Sequence, residues 1–80
     1  MNTNAYQNDG EWQSAITWLD SLARSGLFRI PVGTHPPITR RPDGVLEIRG
    51  VHTGRVEDEC PVGDWIVLSE GRFVVHDFDD

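Results

Sequence analysis

Residues 60–78 read CPVGDWIVLSEGRFVVHDF, and this stretch decides the expected fold. Two short apolar runs, 64–68 and 72–78, lie on either side of residues 69–71, a loop whose length and glycine are typical of a β-hairpin with a bulge. Side chains alternate between the two faces of a strand, so four apolar residues are expected on one buried face. They are Trp65, Val67, Phe73 and Val75. Trp65 is therefore predicted to be a core residue.

An amphipathic helix is predicted upstream, over about residues 10–25. Its apolar residues recur at the spacing of one helical face. They are Trp12, Ala15, Ile16, Leu19, Leu22 and Ala23. Trp18 lies at the border of this stripe and is expected to be half-buried. Asn8 or Asp9 is expected to accept hydrogen bonds from the first free N–H groups, and Gly26 is expected to end the helix in a left-handed conformation.

The rest of the chain predicts short strands and one long loop. Residues 5–7 are expected to form an edge strand, as are residues 27–32, where Pro31 removes a hydrogen-bond donor. The proline-rich residues 33–44 predict an exposed loop. Residues 45–78 predict a β-meander in which a hairpin of 45–49 and 51–56 turns near Gly50, and 57–61 form an acidic connector. The sequence thus predicts a single α+β domain, 1–80, with one N-terminal amphipathic helix packed on an antiparallel sheet of four to five strands.

Composition limits the classes of partner. The 80 residues carry 13 acidic and 7 basic side chains, a net charge of -6, so the chain as a whole repels nucleic acid. Acidity is typical of ordinary solubility or of complementarity to a basic partner. A single cysteine, no signal-peptide pattern and a longest apolar run of four residues predict a protein of a reducing cytosol that does not enter membranes.

No catalytic or metal-binding constellation is apparent in the sequence. His35, His52, His76 and Cys60 lack the spacing of metal ligands, so no metal or cofactor is predicted. The acidic neighbourhood of Cys60 is expected to raise its thiol pKa, which disfavours a nucleophile. His76 and Asp77 are adjacent on a strand and should point to opposite faces. We therefore expect a protein that is not an enzyme.

Several short motifs, in register along most of the chain, resemble a family of short phage and prophage proteins. The matching pieces are Ala5-Tyr6-Gln7 with Asp9-Gly10, the helix, Leu46-Glu47-Ile48 with Gly50, Gly63-Asp64-Trp65-Ile66-Val67 and Gly71-Arg72-Phe73. The resemblance implies a phage context, and with it the cytosol of a host cell as the location, and supplies no set of catalytic residues.

Two functional hypotheses follow. The first is a small non-enzymatic accessory protein that binds a host or phage protein, for example as an inhibitor of host defence or host machinery. Its expected binding residues are acidic: Glu57, Asp58, Glu59, Asp77 and Asp79, with Glu70 and Asp80 on the same face. The alternative is a protein that binds or sequesters a nucleotide signal through Arg40, Arg41 and His35, beside an aromatic such as Trp18 or Trp65. Exposed strand edges also allow a homodimer.

Overall fold

One helix and six strands, in two antiparallel three-stranded sheets, make up the described residues of the computed structural model, which are 4–30 and 32–77. The elements are β1 (Ala5–Gln7), α1 (Trp12–Arg24), β2 (Ile38–Arg40), β3 (Leu46–Arg49), β4 (Val56–Cys60), β5 (Trp65–Ser69) and β6 (Arg72–His76). The first sheet has the order β1-β5-β6 and the second the order β2-β3-β4. The predicted α+β class is confirmed, with six strands in two sheets where four to five were expected in one.

The hairpin of β5 and β6 is present, but its turn differs from the prediction. Ser69 pairs with Arg72, so the turn has two residues, Glu70 and Gly71, with φ of 52° and 76°. Positive φ at both central positions is the geometry of a type I′ turn, which needs no bulge. The expected three-residue loop is therefore wrong.

This register also corrects the predicted core face of the hairpin. Leu68 lies opposite Phe73 and Ile66 opposite Val75, and these pairs face the helix. The prediction for Trp65 and Val67 is wrong: both lie on the outer face, where Trp65 is 37% exposed. Trp65 pairs with His76 there, so it is not a core residue.

The helix covers the inner face of the first sheet and ends as expected. Ala15, Trp18 and Leu22 are buried, so the buried face is turned towards Trp18, whereas Ile16 and Ala23, which were expected to be buried, are exposed. The Trp18 ring stacks on Tyr6 at 5.4 Å and meets Phe73 edge-on at 5.7 Å.

Backbone hydrogen bonds hold the C-terminal end of the helix, and the Asp9 side chain holds the turn before its start. Gly26 has φ of 76°, its N–H donates to the Ala23 carbonyl, and the Leu27 N–H donates to the Leu22 carbonyl, which is a Schellman motif. At the start, Glu11 is the N-cap residue and its side chain makes no capping bond. Asp9 Oδ1 instead accepts from the Glu11 N–H at 2.9 Å, so Asp9 holds the turn before the helix.

Asn8 ties the two sheets together and is only 2% exposed. Its Nδ2 donates to the carbonyls of Gly44 and Cys60, both at 2.9 Å, and its Oδ1 accepts from the Gly10 N–H at 3.0 Å. Its backbone N–H donates to the Asp64 carbonyl at 2.9 Å. Every polar atom of this buried side chain is therefore paired, and the helix start is held against the ends of both sheets.

The second sheet differs from the predicted meander in three places. Residues 38–40 of the expected loop form β2, which pairs with β3. Residues 51–56, expected as a strand, form mostly the turn between β3 and β4, and the expected acidic connector is itself the strand β4. Residues 27–30 and 32 form no strand.

Candidate functional site

A shallow acidic cleft of about 540 Å³ lies between β4 and β6, the neighbouring outer strands of the two sheets. Four of its residues come from β4, two from the turn that follows β4, and two from β6 and the residue after it. We call this set the acidic cleft: Val56, Glu57, Asp58, Glu59, Pro61, Asp64, Val75 and Asp77. Five of these residues are acidic, so negative charge is concentrated around one concave surface.

The pairing of β3 and β4 places the Asp58 side chain towards the interior. Asp58 lies opposite Ile48, which is 4% exposed, and residues opposite each other in a sheet share a face. An aspartate in this position stays exposed because β4 and β6 are not hydrogen-bonded to each other and leave the cleft open. The Asp58 carboxylate also accepts from the Glu59 N–H at 2.8 Å, which fixes its position in the cleft.

The charges of β4 are only partly neutralised within the chain. Arg41 donates to Glu59 Oε2 at 2.5 Å and to Asp43 at 2.8 Å. Across residues 4–30 and 32–77, neither Glu57 nor Asp58 makes an ion pair with a basic side chain. The cleft therefore keeps unneutralised carboxylates on an exposed strand.

The fold brings together four of the five acidic residues predicted to bind a protein. Glu57, Asp58, Glu59 and Asp77 all line the cleft. The fifth, Asp79, lies outside the described residues. Asp64, which follows Gly63 in the turn before β5, was not among the predicted residues. No sequence pattern links it to β4, and only the chain reversal after Cys60 brings it to the cleft.

The residues of the alternative hypothesis are divided between two places. Arg40 and Arg41 line a pocket of about 410 Å³ beside the start of the helix, together with Trp12, and the Arg40 guanidinium carbon lies 5.9 Å from the Trp12 ring centroid. The aromatic residue is Trp12, since Trp18 is buried and neither Trp18 nor Trp65 lines this pocket. Glu11 also lines this pocket.

His35 lies away from these arginines. Its imidazole packs against Gly54, where an added Cβ would lie 3.0 Å from the ring, and the backbone N–H of His35 donates to the Val51 carbonyl at 2.7 Å. The expected set of Arg40, Arg41 and His35 is therefore not assembled as one site.

Cys60 is fully buried at the end of β4. Burial, together with the carboxylates of Asp64 and Asp58, raises the pKa of its thiol from 9.0 to about 12. The thiol stays protonated at neutral pH, and a protonated thiol is a poor nucleophile and metal ligand. Within the described ranges, no three histidine, cysteine, aspartate or glutamate side chains come together as a metal site. Among the described residues, no helix is long and apolar enough to cross a membrane.

Comparison with known proteins finds no match to this chain among protein-family models, curated proteins or solved structures.

Proposed function

We propose that this chain is a small non-enzymatic protein that binds a positively charged segment of another protein in the acidic cleft. The observation that carries the proposal is the position of Asp58, a carboxylate on the inward face of an outer strand, between the exposed carboxylates of Glu57 and Glu59. A concave surface of one charge sign raises the local concentration of oppositely charged partners and speeds their association.

Edge protection is the competing explanation for charges on β4, because charged outer strands resist pairing with other chains. Edge protection accounts for Glu57, Asp58 and Glu59 on the strand itself. It gives no reason for Asp64 and Asp77 to line the same depression from other elements. Convergence of carboxylates from separate parts of the chain favours a binding surface.

The partner within this proposal is a host or phage protein, in keeping with the motifs that resemble short phage proteins. The basic chemistry expected of such a partner is found on proteins that bind nucleic acid. If the host protein uses this basic segment to bind nucleic acid, occupation of the segment by the acidic cleft would inhibit host defence or host machinery.

Nucleotide binding is the weaker hypothesis. Arg41 is already paired with Asp43 and Glu59, which leaves Arg40 and Glu11 as the other charged residues that line the pocket at the helix start. One cation beside one carboxylate gives little attraction for a phosphate. No specific geometry therefore favours this alternative.

Binding of an arginine-rich peptide to two matched variants tests the proposal. The cleft variant carries Glu57→Gln, Asp58→Asn and Glu59→Gln. The control carries the same number of neutralised charges at exposed acids outside the cleft: Glu11→Gln, Asp20→Asn and Glu70→Gln. Each variant changes the net charge from -6 to -3, since three carboxylates are removed, so nonspecific attraction falls equally in both.

The expected result is a loss of affinity of about tenfold or more for the cleft variant, as about 1.4 kcal/mol corresponds to a factor of ten. The control should bind within about threefold of the unmodified chain. Equal weakening in both variants would mean that net charge alone attracts the peptide, and the proposal would then be rejected. When the three proteins are used as baits in a host lysate, the unmodified chain and the control variant should retain the natural partner. The cleft variant should retain much less of it.

A further inference from the structure

We infer that the acidic cleft continues into a pocket for one large apolar side chain of the same partner, so that the partner segment carries a base and an apolar anchor four residues apart. This inference rests on the proposed function and adds the form of the segment that is recognised. It is drawn from the residues around Phe73, at the other end of β6 from Asp77.

The second depression, of about 460 Å³, opens between the ends of β3, β4 and β6 and the chain after the helix. We call it the anchor pocket. Its apolar wall consists of Phe28, Pro37, Ile48, Val51 and Phe73. Phe28 and Phe73 meet edge-to-face with ring centroids 4.8 Å apart, and both rings are partly exposed. Partly exposed aromatic side chains in a concave site can supply the apolar contact area that dominates binding energy at protein interfaces.

The anchor pocket and the acidic cleft adjoin, because Glu57 and Asp58 line both. Phe73, Val75 and Asp77 follow one another at alternate positions of β6 and the residue after it, so they share one face of the strand. Phe73 lines the anchor pocket, whereas Val75 and Asp77 line the cleft. One continuous wall thus runs from an aromatic end to an acidic end.

The length of this wall sets the spacing in the partner. Phe73 and Asp77 are four positions apart, which corresponds to about 13 Å at the rise of a strand. An extended partner segment has the same rise per residue. Two of its side chains that are four residues apart lie on the same face and therefore reach the two ends of this wall. A lysine or arginine at the acidic end therefore places a large apolar side chain in the anchor pocket.

Three arginines line the anchor pocket and set a preference in the partner: Arg29, Arg72 and Arg49, of which Arg49 is paired with Glu47. Arg29 and Arg72 both line it, and neither makes an ion pair among residues 4–30 and 32–77. A second base next to the anchor would meet these like charges, whereas a glutamate would be attracted. The segment recognised is thus basic at one end and neutral or acidic beyond the anchor.

The test uses fluorescein-labelled peptides that contain three arginines and one tryptophan. Each peptide is made in both sequence directions, and the direction that binds more tightly is used for the comparison. In the first peptide the tryptophan lies four residues from the nearest arginine. A second peptide has alanine instead of tryptophan, and a third has a spacing of three. We expect the first peptide to bind at least tenfold more tightly than either of the others, since only its two groups occupy both ends at once.

Chain variants locate this preference. Val51→Phe fills the pocket from its rim, and Phe73→Leu reduces the aromatic wall while keeping an apolar core residue. Both should remove most of the advantage of tryptophan, and both are checked for a cooperative unfolding transition. A glutamate placed after the tryptophan should tighten binding to the unmodified chain, and Arg72→Gln should abolish that gain.

The outcomes separate this inference from the proposed function. If tryptophan and alanine peptides bind equally while the cleft variant still loses affinity, the proposed function stands and the anchor pocket is rejected. The proposed function itself fails if the cleft variant binds all the peptides as the control does. Equal binding at spacings of three and four overturns the extended alignment along β6.

Discussion

Replacing Asn8 is expected to destabilise this protein more than the loss of any single surface contact. The side chain makes three hydrogen bonds within the buried junction of the two sheets, to Gly44, Cys60 and Gly10. At about 1 kcal/mol each, their loss in Asn8→Ala amounts to about 3 kcal/mol. The whole domain of 80 residues is expected to be stable by about 4–12 kcal/mol, so this is a large fraction.

Asn8→Asp should lower the free energy of unfolding further at neutral pH, because a carboxylate cannot donate hydrogen bonds to the two carbonyl oxygens that accept from Nδ2. Urea unfolding followed by tryptophan fluorescence measures both variants, with Gln7→Ala as the control. Gln7 donates one side-chain bond, to the Gly63 carbonyl at 3.0 Å, so about 1 kcal/mol or less is expected. A loss below about 1 kcal/mol for Asn8→Ala would refute the view that this network holds the sheets together.

Three further predictions concern single residues. Glu70→Asn should stabilise by about 0.5–1 kcal/mol and raise Tm by about 4 °C, because asparagine tolerates the φ of 52° better than glutamate; an unchanged or lower Tm contradicts this. The Glu11 N–H and the Tyr6 hydroxyl lower the Asp9 pKa, so the bonded carboxylate stabilises the fold above its unfolded pKa and loses this contribution as pH falls. Asp9→Asn should therefore cost stability in urea at pH 7, and the difference should shrink at pH 2.5. The Cys60 thiol should resist a thiol reagent at pH 8 until urea unfolds the chain, and rapid labelling of the native protein would contradict its burial and raised pKa.

Much of the fold could be predicted because local patterns and the final packing agree. The helix, its Gly26 end and the edge strand at residues 5–7 follow from spacing and turn chemistry. Within the helix, the buried face is turned towards Trp18, because the large Trp18 ring stacks on Tyr6 and meets Phe73 edge-on. Periodicity gives the existence of such a face, whereas its centre depends on partners that only the tertiary structure brings near.

The wrong face assigned to Trp65 has a single cause in the length of one turn. A three-residue loop would pair Leu68 with Arg72, whereas the two-residue turn pairs Ser69 with Arg72. A shift of one residue sends every side chain of a strand to the opposite face. Both faces of β5 carry apolar residues, so alternation alone could not reveal the error.

The acidic cleft was only partly predictable. The run of carboxylates at residues 57–59 marked a possible binding surface, but its charge hid the strand β4, because an exposed outer strand has no apolar alternation. Its convergence with Asp64 and Asp77 depends on the way β4 and β6 lie side by side, as does the anchor pocket around Phe73. Contacts between outer strands of two sheets leave no periodic signal in the sequence.

The most direct test of the proposed function is an amide chemical-shift titration of the ¹⁵N-labelled chain with the arginine and tryptophan peptide that has the four-residue spacing. We expect the largest shifts on Val56–Cys60 and on residues 73–77, with saturation at one peptide per chain. Shifts concentrated at Trp12, Arg40 and Arg41, or small shifts spread over all acidic residues, would contradict this expectation.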